Sequence, residues 1–439
     1  MSINSMIFLT AFLPVVFVLD RLCVRKTALK NILLLLASLV FYAWGEPVYI
    51  VLLLVSIAAN YGIGLLLGRQ RDESVAAKTV LAAGILVNLG ILGYYKYFDF
   101  FLRIVNRLTG SEHEMRNIPL PIGISFFTFG AISYLMDLYR GHYEAEKNPL
   151  NMALYLSFFP KISVGPIARY CDFGPQLVNR QETVEKTAEG IRRFAYGLGK
   201  KVLVANIVGA SVDKIYAQDI TNVTGVMVWC AAILYAIQIY YDFSGFTDMA
   251  IGLGKMFGFD ICENFNYPYL SGSIQEFWRR WHISLSSWFK EYVYIPLGGN
   301  RKGFPKQIRN ILIVWLLTGF WHGASWNFVA WGLYFGVLLI VEKLFLLRFL
   351  KKLPAFFQHV YTMLLVMLGW AIFSFDSLGN GIAYIRALFG GYGQPIWDGG
   401  GVYLLYTNIA LLLIAAVGST PLPKELWRRL EGRLSAHPI

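Results

Sequence analysis

The sequence is poor in charged residues and contains no polar linker. Asp, Glu, Lys and Arg make up 15% of its 439 residues, whereas soluble domains carry about 25%. Hydrophobic residues account for 56% of the chain, and no stretch rich in proline, glycine and serine divides it. This composition predicts that lipid surrounds most of the chain, and that residues 1–439 form one integral membrane domain.

Cysteines and familiar catalytic motifs are also scarce. The four cysteines have no CxxC spacing, so they indicate neither a disulfide framework nor a zinc site. The sequence contains no P-loop, no Gly-x-Ser-x-Gly elbow, no HExxH motif and no Rossmann fingerprint. We therefore expect no bound metal, and chemistries that depend on these motifs fit poorly.

Positive charge exceeds negative charge. Lys and Arg number 39 against 27 Asp and Glu, which gives a net charge of +12 and a pI near 9.4. The main interpretation is the excess of Lys and Arg that membrane proteins keep in cytoplasmic loops. Nucleic-acid binding would need a basic face on a soluble fold, and none is visible. A basic pocket for a phosphate-bearing donor is a third interpretation, which applies only to residues 276–309.

Long apolar runs predict membrane-spanning helices, each of which needs ~20 residues. The candidate spans are 3–20, 31–44, 47–67, 79–98, 119–139, 225–243, 309–320 continuing into 326–347, 355–375 and 402–418. Two further stretches, 149–168 and 188–210, are interrupted by proline, glycine or basic residues. The prediction is an all-α polytopic membrane protein with about nine to eleven transmembrane or re-entrant helices.

Loop charges predict the orientation in the membrane. Residues 21–30 and 69–78 are both net positive, and the two apolar runs between them meet at a tight Gly45-Glu46-Pro47 turn. Two crossings place both basic loops on one side, which the positive-inside rule makes cytoplasmic. The N-terminus is then extracytoplasmic. The first apolar run has no basic n-region or cleavage site, so we expect it to be retained as a span.

Proline and glycine break several apolar stretches. Examples are Pro119-Leu-Pro-Ile-Gly123 and Phe159-Pro-Lys-Ile-Ser-Val-Gly-Pro166. Irregular backbone at membrane depth is tolerated only where it is buried in protein or lines a water-filled cavity. The breaks therefore predict a re-entrant or funnel-shaped interior, although each break alone fits an ordinary interfacial loop equally well.

Two of the six histidines lie in apolar, tryptophan-rich surroundings. They are His282 in Glu276-Phe-Trp-Arg-Arg-Trp-His282 and His322 in Thr318-Gly-Phe-Trp-His322-Gly. An ionisable ring in such a setting is costly and marks a functional site by default. The other histidines lie in polar or charged stretches and need no such explanation: His113, His142, His359 and His437.

Residues 238–304 are the least lipid-like part of the second half. Cations there alternate with aromatic residues, as in Trp278-Arg279-Arg280-Trp281. On a helix Trp278 and His282 would share a face, as would Trp281 and Trp288. One interpretation is an amphipathic interfacial helix with snorkelling cations. The other is a cationic cradle for phosphate groups, because Arg pairs bidentately with their oxygens.

His322 lies between two apolar runs and beside Gly319 and Gly323, which we expect to let a substrate approach the backbone closely. A histidine satisfied structurally within the core is the alternative. An imidazole titrates near neutrality, as a general base for a hydroxyl nucleophile requires.

Three carboxylates also lie in strongly apolar context: Asp137, Asp242 and Asp248. Asp242 and Asp248 are either structural anchors or residues that orient His282.

Two long motifs resemble the membrane-bound O-acyltransferase (MBOAT) family. They are Phe277-Trp-Arg-Arg-Trp-His-Ile-Ser-Leu-Ser-Ser-Trp-Phe-Lys-Glu-Tyr-Val-Tyr-Ile-Pro-Leu-Gly-Gly-Asn-Arg301 and Thr318-Gly-Phe-Trp-His-Gly-Ala-Ser-Trp-Asn-Phe-Val-Ala-Trp-Gly332. Pro121-Ile-Gly-Ile-Ser-Phe-Phe-Thr-Phe129 and Asp242-Phe-Ser-Gly-Phe-Thr-Asp-Met-Ala-Ile-Gly252 extend the similarity through the chain. Within the family the chain looks like the alginate and exopolysaccharide O-acetylation branch, with its signature core at 238–347.

The resemblance implies a helical membrane fold with a tunnel from a cytoplasmic donor side to an outer acceptor side. His322 matches the catalytic histidine, which we expect to deprotonate an acceptor hydroxyl. His282 matches the second signature position, which is His or Asn across the family and would orient or polarise the donor. The donor expected for this branch is acetyl-CoA, with no permanently bound cofactor. Candidate donor contacts are Arg279, Arg280 and Trp278, and candidate structural or tunnel residues are Asp242, Ser244, Asn264 and Trp321.

The resemblance also implies a bacterial cytoplasmic membrane location. The expected partner is an extracytoplasmic SGNH-type or related protein that passes the acetyl group to a polysaccharide. Sister branches keep both histidines, so D-alanyl transfer from a carrier protein to teichoic acid is an alternative. A polysaccharide exporter without catalysis is a further alternative, but the spans show no internal repeat of the kind that transporters have.

Overall fold

The computed structural model describes residues 1–23, 26–70 and 74–436, with side chains described up to residue 429. His437 and parts of the two basic loops (24–25 and 71–73) lie outside the described residues. Within the described residues the chain is helical, and its only β-type pairing is an isolated antiparallel bridge between Phe265 and Trp281. The prediction of an all-α polytopic membrane protein is confirmed.

The helices are numbered in chain order. The first ten are α1 (Leu13–Leu22), α2 (Thr27–Gly45), α3 (Ile50–Gly68), α4 (Val75–Leu92), α5 (Phe98–Thr109), α6 (Ile124–Tyr139), α7 (Pro149–Ser157), α8 (Phe159–Ile162), α9 (Tyr170–Asn179) and α10 (Val184–Gly199). The others are α11 (Asn206–Tyr216), α12 (Gly225–Met256), α13 (Ile274–Arg280), α14 (Ile283–Phe289), α15 (Phe304–His322), α16 (Trp326–Val341), α17 (Leu347–Leu350), α18 (Ala355–Phe373), α19 (Leu378–Leu388), α20 (Gly399–Gly418) and α21 (Leu422–Ala436). Short π-helical segments extend several of them, as at Gly93–Tyr97 between α4 and α5.

Six of the described helices are long and apolar enough to cross a membrane. They are Thr27–Gly45, Ile50–Gly68, Val75–Thr109, Gly225–Met256, Ala355–Phe373 and Gly399–Gly418. The other predicted spans are helical as well, but they are shorter, interrupted or less apolar. For example, 119–139 becomes the 16-residue α6, and 149–168 becomes α7 and α8. The count of nine to eleven, which includes re-entrant elements, stays a prediction.

The chain contacts divide it into two compact units, each assembled from three stretches. The first unit contains 1–198, 246–263 and 287–293, and the second contains 199–245, 264–286 and 294–439. The expectation of a single domain stays a prediction.

In the first unit the predicted break at 159–166 is mostly buried, whereas the one at 119–123 is largely exposed. The chain leaves α7 at Phe158, whose ψ of 112° is not helical, and Phe158 and Phe159 are fully buried. Gly123 (φ +74°) directly precedes α6, and a Cβ there would overlap the carbonyl oxygen of Ile162 in the other break. The two breaks therefore contact each other at Gly123, and only the second has its irregular backbone buried in protein.

The second unit holds α15 and α16 in close contact. A Cβ at Gly319 would overlap the carbonyl oxygen of Phe328, and one at Gly332 would overlap that of Trp315. A Cβ at Gly323 would overlap the Phe328 ring. The expectation that Gly319 and Gly323 leave room for a substrate is therefore wrong, because α16 fills that space. These glycines fix where α15 ends, and so where His322 lies.

Candidate active site

His282 lies in a break between two short helices rather than on a helix. The helix α13 ends at Arg280, Trp281 is extended, and α14 begins at Ile283. His282 itself has φ +48°, a left-handed conformation that few non-glycine residues adopt. The prediction that Trp278 and His282 share a helical face is therefore wrong, and the spacing argument for Trp281 and Trp288 fails for the same reason.

Backbone hydrogen bonds to residues 264–266 stabilise this break between α13 and α14. The Asn266 amide donates to the Arg280 carbonyl at 3.0 Å, and the Ile283 amide donates to the Asn264 carbonyl at 3.0 Å. The bridge between Phe265 and Trp281 lies between these two bonds. The Arg280 carbonyl and the Ile283 amide, which the break leaves without partners in a helix, therefore have hydrogen-bond partners. These contacts hold His282 in its unusual conformation.

The Asn264 side chain fixes the tautomer of His282. Its Oδ1 accepts hydrogen bonds from the Ser284 amide at 3.1 Å and from the Ser284 hydroxyl at 2.9 Å. The same oxygen lies 3.1 Å from His282 Nδ1. Because this atom accepts from a backbone amide, it is the oxygen, and His282 Nδ1 must carry a proton. In the neutral ring Nε2 is then an acceptor with an open lone pair.

The surroundings of His282 favour this neutral ring. The residue is 2% exposed, and its Nε2 has no hydrogen-bond partner within residues 1–23, 26–70 and 74–436. The Phe243 ring packs edge-on against it at 4.7 Å between centroids. Burial lowers the pKa of His282 to about 3, because the charged form would lose its hydration.

His322 is the last residue of α15 and is partly buried among aromatic rings. Its ring lies 4.8 Å from Trp321, 5.0 Å from Trp331 and 5.2 Å from Phe373, measured between centroids. Trp321 also contacts His282 at 5.8 Å. The structure therefore brings the two predicted histidines into one enclosure in the second unit, with Trp321 between them.

The three residues predicted to bind the acetyl donor do not form one binding site. Trp278 is buried against Trp315, Trp331 and Phe335. Arg280 donates to Glu276 at 3.0 Å and to the Asn266 carbonyl at 3.2 Å. Arg279 is exposed and forms no ion pair with any residue in the described part of the chain. Of the three side chains, only Arg279 has a cationic group available at the surface.

The predicted carboxylates have partners of their own. Asp242 forms an ion pair with Lys201, and Asp248 accepts from Arg193 at 2.7 Å. In the first unit Asp137 accepts from the Tyr292 hydroxyl at 2.6 Å. The residue at Nδ1 of His282 is Asn264, so the ion pairs of Asp242 and Asp248 favour the structural role left open for them. Ser244 is buried within α12.

No group of three or more His, Cys, Asp or Glu residues in the described ranges is arranged to hold a metal ion. A family model then decides what kind of protein carries these histidines. The model of the membrane-bound O-acyltransferase (MBOAT) family matches residues 145–382, just over half of the chain. The chain belongs to this family. As an MBOAT protein it is a multi-pass membrane enzyme, an O-acyltransferase, and the exporter interpretation has no support.

Three relatives resemble the MBOAT chain to different extents. A probable alginate O-acetylase of Azotobacter vinelandii is 40% identical over 421 residues, covering 95% of this chain and 84% of that protein. The peptidoglycan O-acetyltransferase of Helicobacter pylori is 34% identical over 420 residues, covering 88% and 79%. The teichoic acid D-alanyltransferase of Bacillus subtilis is 30% identical over 250 residues, covering 53% and 62%. The resemblance to the alginate O-acetylation branch is confirmed.

Sequence reasoning did not single out three residues of this MBOAT site. Ser284 holds the Asn264 oxygen, and Trp331 and Phe373 pack on His322. The first two lie inside the family motifs, so attention to polar and aromatic residues near each histidine could have found them. Phe373 lies in an apolar helix that carries no such signal.

Proposed function

We propose that this MBOAT protein transfers an acetyl group from cytoplasmic acetyl-CoA to a hydroxyl on the outer side of the cytoplasmic membrane. The acceptor is a cell-surface polysaccharide, reached directly or through an extracytoplasmic SGNH-type protein. The extent of the similarity supports acetyl over D-alanyl transfer. The O-acetyltransferase relatives match 88–95% of the chain, whereas the D-alanyltransferase matches 53%.

The observation that carries the proposal is the pair of histidines joined by Trp321 within a buried aromatic enclosure. Acyl transfer to a hydroxyl needs a base that removes the hydroxyl proton as the oxygen attacks the thioester carbonyl. We assign this role to His322. The tetrahedral intermediate then collapses, the carbon–sulfur bond breaks, and the CoA thiolate takes the proton that His322 has held.

His282 has a different role because of its tautomer. Its open Nε2 accepts a hydrogen bond, so it holds an N–H or O–H group of a substrate and orients it. A neutral Nε2 cannot donate to a carbonyl oxygen. We therefore keep the orienting role for His282 and give up the polarising one.

We assign the CoA phosphates to Arg279, the exposed guanidinium beside the active-site break. Arg280 holds that break in place through Glu276 and the Asn266 carbonyl. An unengaged guanidinium can bind phosphate oxygens bidentately, whereas one already satisfied must first give up its partners.

The direct test uses purified protein in detergent, radiolabelled acetyl-CoA, and solubilised host membranes as the source of acceptor. We expect CoA release and label in glycan or protein with the wild type, and neither with His322→Ala. Carrier-bound D-alanine should give no transfer. Label from D-alanyl carrier but none from acetyl-CoA would refute acetyl transfer and establish the D-alanyl alternative.

The proposed orientation makes a prediction about sidedness. The loop after α5 contains exposed Glu112, and the loop after α6 contains exposed Glu144. A Cβ at Gly68 would lie 2.7 Å from that of Ala145, so the second loop is on the same side as the basic loop after α3. In a cysteine-free background, an impermeant maleimide should label Glu112→Cys in right-side-out vesicles. It should label Glu144→Cys only in inverted ones, and the reverse pattern would place the N-terminus in the cytoplasm.

A further inference from the structure

Two buried tryptophans of the second unit carry indole N–H groups that have no hydrogen-bond partner among the described residues. Trp331 is 1% exposed and Trp278 is 8% exposed. Neither Nε1 atom has a hydrogen-bond partner within residues 1–23, 26–70 and 74–436. The two rings meet edge to face at 5.5 Å, and the Trp331 ring lies 5.0 Å from the His322 ring. Trp331 therefore lies in the aromatic wall around His322, and Trp278 packs against Trp331.

Such donors need a physical explanation. A buried N–H without an acceptor is destabilising, because it gives up its hydrogen bond to water, and most buried indole N–H groups have an acceptor. Trp229 shows the usual arrangement in the same unit, because its Nε1 donates to the Leu388 carbonyl at 2.9 Å. Phenylalanine would fill an apolar wall without this cost. An unsatisfied donor next to the proposed base, with a second on the ring that packs against it, therefore points to a ligand that brings an acceptor.

The reaction supplies that acceptor. When the hydroxyl oxygen bonds to the acetyl carbon, the carbonyl oxygen becomes an oxyanion, and preorganised donors in a dry site stabilise it. His282 cannot supply the donor, because its proton is on Nδ1 and is engaged by Asn264. The tryptophans can, and their N–H groups need no proton transfer to act.

We propose that the indole N–H groups of Trp331 and Trp278 bind the acyl oxygen of the thioester and stabilise the oxyanion that forms there. This inference rests on the proposed acyl transfer. With the hydroxyl proton on His322 and the negative charge on the acyl oxygen, both charges of the intermediate lie beside the same ring, Trp331. Collapse of the intermediate restores the carbonyl and expels CoA thiolate.

The test compares kcat and KM for acetyl-CoA in wild type, Trp331→Phe and Trp278→Phe. Because the interaction strengthens only in the transition state, each variant should lose kcat with little change in KM. Loss of one oxyanion donor lowers kcat by roughly 10²-fold. The matched control is Trp229→Phe, which removes an N–H bonded to a backbone carbonyl away from the histidines. It should keep wild-type kcat.

A second measurement separates the N–H from the ring volume. Benzothienylalanine incorporated at position 331 keeps the bicyclic shape and replaces the N–H by sulfur. It should lose kcat as Trp331→Phe does, with unchanged thermal stability. Wild-type kcat with this analogue, or with either Phe variant, overturns the assignment of that tryptophan. An active wild type with an inactive His322→Gln and a fully active Trp331→Phe refutes only this inference, whereas no acetyl transfer by the wild type refutes the proposed function.

Discussion

The His322→Gln enzyme should transfer acetyl groups roughly 10²- to 10⁴-fold more slowly than the wild type, which is the range that a general base contributes. Glutamine keeps much of the side-chain volume among Trp321, Trp331 and Phe373 but cannot take the hydroxyl proton. The neighbouring Gly323 still ends α15, because its amide donates to the Gly319 carbonyl at 3.4 Å. The variant should therefore fold normally and bind acetyl-CoA.

The measurement is single-turnover transfer of labelled acetyl, beside thermal unfolding of the same preparation. His113→Ala is the matched control, because His113 is exposed in the loop after α5 and should keep full activity. His322→Ala removes more volume and should be equally inactive but somewhat less stable. Transfer by His322→Gln within a few-fold of wild type would mean that another group is the base, and His282 Nε2 would be the first to examine.

Much of the fold could be predicted because a segment that lies inside the membrane must consist mostly of apolar residues. A spanning helix must satisfy its own backbone within a run of apolar residues, and such runs are visible without any knowledge of partners. The same argument identified both histidines, because an ionisable ring among tryptophans is costly wherever the chain folds. It also identified the breaks near Gly123 and Pro160, of which the structure buries the second.

The geometry of the site could not be predicted in this way. The break at His282 depends on amides and carbonyls of the segment around Asn264, some twenty residues earlier in the chain, and helical spacing carries no information about such contacts. The role of Gly319 was predicted wrongly for the same reason. Whether Gly319 faces a substrate or another backbone is decided by α16, whose position follows from packing rather than from the local sequence.

His282 variants should separate the imidazole from the backbone conformation that carries it. His282→Ala should lower transfer by about 10²-fold, because an orienting contact is lost and a misplacement of about 1 Å has that effect. Alanine also tolerates φ +48° poorly, at a cost of roughly 1 kcal/mol, so its unfolding temperature should fall. His282→Asn should remain as stable as the wild type, because Asn is enriched in this conformation. Its side-chain amide matches the position of Nδ1 and can donate to Asn264, but it does not reach the position of Nε2, so transfer should fall as it does in His282→Ala.

Asn264→Ala gives the complementary result with the imidazole still present. The Ser284 amide and hydroxyl lose their acceptor, and Nδ1 loses the contact that holds its proton. Transfer should fall by about 10²-fold through a lower kcat, since the ring is no longer fixed in the acceptor tautomer. Asn264→Asp restores an acceptor and should recover more activity than alanine does. Equal activity of Asn264→Ala and wild type would show that the tautomer of His282 has no part in catalysis, and the assignment of the acyl-oxygen donor to the tryptophans would then lose one of its two supports.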